Sequence, residues 1–253
     1  MSDTTASREP TATLPEGVAP GRYYPYVIAA FVAVLLVSNT VANKLVPVGP
    51  FVWSAAIVVF PVSYILGDVI TEVYGYARAR RVFWIGTLAN VFLALAYTLA
   101  DSLPSLDPEY GGAFHVVLGP APRVVVASLA GIWCGQFANA WVLSRMKVLT
   151  RGRALWARCV ASTFVGEGVD TAVFATLLFA GTVPWLVIPT IVWSAALFKT
   201  AYEAAVTPLT YLVVNWLKRA EGWESLDERI SYSPFSFGEA GNTWRRVDRA
   251  GAA

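Results

Sequence analysis

Two pairs of carboxylates lie inside strongly apolar sequence. Asp68 and Glu72 close the stretch FPVSYILGDVITEVYG (60–75), and Glu167 and Asp170 sit within STFVGEGVDTAVF (162–174). Spacings of four and three residues place each pair on one face of a helix. Further along, FKTAYE (198–203) sets Lys199 and Glu203 four apart, a spacing that permits an ion pair. Amides join them in other apolar runs: Asn39, Asn43, Asn90, Gln136 and Asn139. Such groups can accept paired N–H donors, pass a proton between an acid and a base, or neutralise a neighbouring cation. These five acids and one lysine cannot all pair off among themselves, so charge is left over for another purpose.

Each group also has a purely structural reading. Lys199 with Glu203 is explained by an internal bridge on one helix, and Asp68 with Glu72 by neutralisation of Arg78, Arg80 or Arg81 near the headgroups. Asn90 suits a hydrogen bond between helices. Glu167 and Asp170 resist that treatment best. They fall near mid-segment, far from any loop cation, on a stretch that Gly166 and Gly168 make easy to pack against.

The elements that must hold these groups are dictated by composition. Of 253 residues, 56% are hydrophobic and only 14% charged, and the mean hydropathy is +0.54. Soluble domains carry about 25% charged residues, so this composition is that of an all-α polytopic membrane protein. Six apolar segments near the ~20 residues needed to cross a bilayer are expected at 25–43, 52–74, 82–101, 122–144, 157–180 and 188–217. Length and continuity favour helices over the short alternating strands of a membrane barrel. Pro208 is the natural kink in the last, longest segment. Residues 1–24, rich in Thr, Pro and small residues, read as a disordered cytoplasmic tail, 25–217 as the membrane domain and 218–253 as a second cytoplasmic tail.

Orientation follows from the cations. Arg78, Arg80 and Arg81 lie between segments two and three; Arg145, Lys147, Arg151, Arg153 and Arg158 lie between four and five; Lys218 and Arg219 follow six. By the positive-inside rule these are cytoplasmic, and both termini with them. The long third connection, DSLPSLDPEYGGAFHVVLGPAPR, is external and is expected to hold a short interfacial helix near Phe114 to Leu118.

Several function classes are excluded or disfavoured. A net charge of +2 with no basic stripe argues against direct nucleic-acid binding. Cys134, Cys159 and the single His115 show neither a disulfide framework nor metal-ligand spacing, and no cofactor motif appears. No GxxxxGK[ST] occurs, so ATP is not bound through a P-loop. A transporter of this sequence would have to move its cargo down a gradient, couple to an ion, or rely on a separate motor. An intramembrane enzyme built on Glu167 and Asp170 is a distant alternative, lacking HExxH and GxSxG.

Five strings in order carry a family resemblance: SNTVANK (38–44), FPVSYILGDVITEVYGYARARR (60–81), PRVVVASLAGIWCGQFANAWVLSRMK (122–147), LWARCVASTFVGEGVDTAVF (155–174) and FKTAYEAAVTPLTYLVV (198–214), with SYSPF in the tail. Together they resemble the queuosine precursor transporter family of vitamin-uptake-transporter-like membrane proteins. The resemblance implies a six-helix inner-membrane importer of 7-deazaguanine precursors, chiefly 7-cyano-7-deazaguanine and 7-aminomethyl-7-deazaguanine, feeding tRNA modification. A subunit of an ATP-driven vitamin importer is the alternative. The inventory suits such a substrate, whose N–H and NH2 edge matches a carboxylate. Glu167 or Asp170 is expected at that edge, Gln136 and Asn139 to orient the base, and Asn39 and Asn43 to line the cavity. Asp68 with Lys199 as counter-charge, together with Glu72 and Glu203, is expected to serve gating or ion coupling. Residues 25–101 and 122–217 would form two inverted three-helix halves, each with the doubly acidic helix second. Gly86, Gly131 and Gly135 would support close helix contacts within one chain or in a homodimer.

Overall fold

The structure is a computed structural model that describes residues 21–149, 155–226 and 243–246. The greater part of the expected N-terminal tail and the SYSPF element lie outside the described residues. Helices dominate: α1 (Tyr24–Val41), α2 (Phe60–Tyr74), α3 (Tyr76–Asp101), α4 (Pro108–Leu118), α5 (Ala121–Leu149), α6 (Leu155–Phe179) and α7 (Val187–Glu221). Among the described residues, three helical stretches are long and apolar enough to cross a membrane: Tyr24–Val41, Tyr76–Asp101 and Pro108–Asn139. The last covers α4 and the first part of α5. Helices α6 and α7 have the length, 25 and 35 residues, and among the described residues α7 includes the shorter apolar stretch Val187–Lys199.

The second segment departs from expectation. Residues expected to begin a helix at 52 instead form an antiparallel hairpin, β1 (Leu45–Val48) and β2 (Phe51–Ser54), followed by a 3₁₀ turn over Ala55–Val58. The cause is local. Pro47 and Pro50 remove helical donors, and Gly49 supplies the positive φ of 58° that the turn requires. Ser54 then caps the 3₁₀ turn through its hydroxyl, which accepts from the Ala56 amide at 3.3 Å. Helix α2 starts only at Phe60. Its 15 residues rise about 22 Å, short of the ~30 Å of a hydrocarbon core.

Helix α3 likewise starts six residues earlier than expected. The connection from α2 is the single residue Gly75, whose φ of 81° ends one helix and allows the next to start at Tyr76. Arg78, Arg80 and Arg81 therefore lie in the first turns of α3, not in a loop. Arg80 is only 5% exposed, with its guanidinium over the Tyr76 ring. On the rest of α3, Leu88, Phe92, Leu95 and Leu99 recur at helical spacing and are exposed, whereas Asn90 and Ala94 between them are buried. An outward apolar stripe with a polar residue turned inward is what a lipid-facing helix requires. A helix near Phe114 is present and longer than expected, as α4, with Asp107 capping its start.

The chain divides into two compact units. One comprises the described residues of Val32–Ser63 and Gly86–Val206; the other, those of Met1–Phe31, Tyr64–Ile85 and Thr207–Ala253. In α7 the division falls at Thr207, beside the helix-internal Pro208. The larger unit is cored by Ala42, Val124, Ala127, Ala175, Leu178, Phe179, Ile188 and Ile191. At one end, Arg123 of α5 donates from Nε to the Leu177 carbonyl at 2.6 Å and from Nη2 to the Ala180 carbonyl, satisfying oxygens that the end of α6 leaves unpaired.

The smaller unit is organised by one acid. Glu221, the last residue of α7, accepts from the Arg22 and Tyr23 amides at 2.9 and 2.8 Å and from the Tyr74 hydroxyl at 2.8 Å. It thereby takes up amide donors at the N-terminus of α1 and binds the ends of α1, α2 and α7 together. Val69, Val73, Tyr74, Val214 and Leu217 pack beneath it, with Tyr24 tilted on Tyr74 and Tyr23 on Trp216.

Candidate functional site

Within the larger unit, α5 and α6 approach closely because three glycines line the contact. A side-chain carbon at Gly131 would sit 2.6 Å from Asp170 Oδ1; one at Gly135 would sit 2.8 Å from both Asp170 Cβ and the Gly166 carbonyl oxygen; one at Gly166 would sit 2.8 Å from Asn139 Cβ. Glycines four apart on α5 thus make a groove that receives Asp170, in the way small residues allow membrane helices to close on one another. Both Gly131 and Gly135 face α6 of the same chain. Gly168, on the same helix, meets nothing within 4 Å among the described residues.

Asp170 and Glu167 converge on a lysine from a third helix. Lys199 Nζ of α7 donates to Glu167 Oε2 at 3.0 Å and to Asp170 Oδ2 at 3.1 Å. The side chains are partly buried, with 18% of Lys199, 34% of Glu167 and 21% of Asp170 exposed. The Phe60 ring stands 5.7 Å from the ammonium. Two carboxylates sharing one ammonium give the three groups a formal charge of −1, and the aromatic face beside them can cover a flat ligand. Next to Lys199, Phe198 continues an aromatic row with Trp53 of the hairpin at 5.4 Å and Tyr202 at 5.8 Å. Sequence spacing points to Glu203 as the partner of Lys199; the observed partners lie on α6, and the Glu203 side chain falls outside the described residues.

The other expected site residues fall in different places. Asn139 packs against Gly166, and its buried Oδ1 has no hydrogen-bond partner among the described residues. Gln136 is exposed on α5. Asn39 donates to Asn90 Oδ1 at 2.5 Å, and Asn90 donates to the Gly86 carbonyl at 2.9 Å, so the inter-helix role expected of Asn90 is met by an α1–α3 tie. Asn43 donates to the Val117 carbonyl at 2.9 Å, holding the end of α4. Asn39, Thr40, Asn43 and Tyr97 line a crevice with Val117, Leu118, Ala121 and Val124. The crevice leaves essentially no room for a water-sized sphere, so it is not a ligand pocket. Asp68 and Glu72 belong to the smaller unit; both are exposed, and Glu72 lies 3.5 Å from Lys218 Nζ.

Some contributors are not signalled by sequence spacing. Phe60 reaches Lys199 because α2 begins there, and Trp53 reaches Phe198 because the hairpin replaces a helix. Arg123 and Glu221, which fix helix ends, carry no motif; only their position at the edge of an apolar run marks them.

A family model described as "Putative vitamin uptake transporter" matches residues 54–213. Over 168 residues, 65% of this chain and 72% of the relative, the chain is 29% identical to a protein of Bacillus subtilis (strain 168) named "Probable queuosine precursor transporter". No solved structure matches.

Proposed function

Since the chain belongs to the vitamin-uptake-transporter-like family of queuosine precursor transporters, we propose that it imports 7-deazaguanine precursors of queuosine through a site built on Glu167, Asp170 and Lys199. The preferred cargoes are 7-cyano-7-deazaguanine and 7-aminomethyl-7-deazaguanine. The observation that carries this reading is the partly buried group in which one ammonium is shared by two carboxylates 3.0 and 3.1 Å away. Ionisable groups within membrane helices are costly, and where they occur they commonly line a substrate or ion pathway.

The chemistry of the substrate fits that group. Its N–H and exocyclic NH2 are adjacent donors that one carboxylate accepts together. The formal −1 charge tolerates the cationic aminomethyl form, and aromatic residues near Lys199 supply a face for the ring. Asn139, with a buried oxygen lacking a partner among the described residues, and Gln136 on the same helix would orient the base. Asn39 and Asn43 already hydrogen-bond to protein and would act by holding α1 against α3 and α4. Asp68, Glu72 and Glu203 would serve gating or ion coupling.

In this reading the protein spans the inner membrane six times with both termini cytoplasmic. Residues 25–101 and 122–217 form inverted halves that place Asp68/Glu72 and Glu167/Asp170 on corresponding helices. Transport is facilitated or ion-coupled. Uptake of labelled 7-cyano-7-deazaguanine is measured in cells that neither synthesise nor import it, expressing this chain alone. Saturable accumulation above the empty-vector control is expected; none, with the protein confirmed in the membrane, would overturn the proposal.

A further inference from the structure

Resting on that reading, we propose that α4 is a movable cap, hinged at Gly119 and Pro120, which closes the outward end of a polar seam between α1 and α3 and lifts during transport. The seam is continuous. Asn39 and Thr40 lie in the last turn of α1 with Asn43 just beyond it, while Tyr97 lies one turn before the end of α3 and Asn90 two turns deeper. They meet in pairs: Asn39 donates to Asn90 Oδ1 at 2.5 Å, and the Thr40 and Tyr97 hydroxyls stand 3.2 Å apart. Between membrane helices such pairs act as ties, and each is exchangeable for water or a polar cargo once the seam is wetted.

Helix α4 covers the end of that seam. Val117 and Leu118 of its last turn close over Asn39, Thr40, Asn43 and Tyr97, leaving essentially no room for a water-sized sphere. In the orientation proposed above, with both termini cytoplasmic, this end faces outward. The cover is held lightly, for no residue of α4 is buried. Asn43 donates to the Val117 carbonyl at 2.9 Å, an oxygen of the last turn with no partner inside the helix, and the His115 ring meets Asp101 at the end of α3 at 2.5 Å. Val117 is 53% exposed and the His115 side chain 72%, so both ties pass to water with little loss when the helix lifts. Elements that move are drawn from such weakly packed parts of a fold. The connections allow it: residues 102–107 lead in from α3, and only Gly119 and Pro120 separate α4 from α5.

Thiol chemistry tests the cap in the full chain carrying Cys134→Ala and Cys159→Ala. Val124 of α5 lines the same crevice and is 2% exposed, so the thiol of Val124→Cys reacts only when α4 lifts. In intact cells it is expected to react with a membrane-impermeant thiol reagent. Separately, Asn43→Cys and Val117→Cys are combined and joined by a short, reducible bifunctional thiol reagent, which pins α4 shut. Uptake of labelled 7-cyano-7-deazaguanine by this variant is expected to be mostly lost on linking and regained on reduction, each compared with the same variant before linking. Full uptake while linked overturns the cap, as does a Val124→Cys thiol that stays unreactive in intact cells. Absence of wild-type uptake removes the import reading alone; labelling of Val124→Cys then still decides whether α4 opens.

Discussion

Replacing Gly135 by alanine tests whether the α5 groove sets the geometry of the charged group. The new Cβ would lie 2.8 Å from Asp170 Cβ and 2.8 Å from the Gly166 carbonyl oxygen. Neither can yield cheaply, since one is backbone and the other sits on the first side-chain carbon. Moving a 2.8 Å contact out to the 3.4 Å where ordinary packing begins takes about 0.6 Å of separation between α5 and α6. Overpacking of this kind costs about 1–3 kcal/mol, offset by up to ~1 kcal/mol of helix propensity gained on replacing glycine. The same shift carries Asp170 Oδ2 from 3.1 Å toward the limit of a hydrogen bond to Lys199. Gly168→Ala is the matched control: it gains the same propensity and meets nothing within 4 Å among the described residues. Thermal unfolding in detergent and labelled-base uptake, at equal membrane levels, are both read. Gly135→Ala should unfold at lower temperature than Gly168→Ala and transport less. Equal stability and uptake in the two variants would refute the argument that glycine is required for the close approach.

Two further substitutions test the ties elsewhere. Glu221→Ala removes the acceptor of three hydrogen bonds and strands the buried Tyr74 hydroxyl; a loss of about 2–3 kcal/mol is expected in thermal unfolding, and a change under ~0.5 kcal/mol would mean that the acid does not hold the helix ends. Asn90→Ala and Asn39→Ala, alone and together, should show a coupling of about 0.6–1.7 kcal/mol, the range of hydrogen bonds between membrane helices; strictly additive losses would contradict the α1–α3 tie.

What could be read from the sequence was set by the range of the interaction concerned. The long helices follow from uninterrupted apolar runs, and the shared faces of Asp68/Glu72 and Glu167/Asp170 follow from helical periodicity alone. The hairpin over 45–54 was obscured because LVPVGPFVWS is as apolar as a helix of equal length. Its signals are Pro47, Gly49 and Pro50, which forbid a regular helix whatever the hydropathy. The arginines of YARARR read by charge as a connection between two segments, yet they occupy helix because Gly75 alone makes the turn. Lys199 shows the limit most clearly. Spacing can relate it only to residues one turn away, such as Glu203, whereas its observed partners stand 32 and 29 residues earlier in the chain. Gly131 and Gly135 were legible as a close contact, but that they receive Asp170 depends on the register between α5 and α6, which no local pattern encodes.

That the charged group on α6 and α7 handles the base during import is the proposal on which the other residue roles rest. It is tested most directly by uptake of labelled 7-cyano-7-deazaguanine in cells unable to make the precursor, comparing the wild-type chain with Asp170→Ala at matched protein level. Accumulation by the wild type and at least a tenfold loss in the variant are expected, as when a charged hydrogen bond worth more than about 1.4 kcal/mol is removed. Uptake by Asp170→Ala equal to that of the wild type would contradict it.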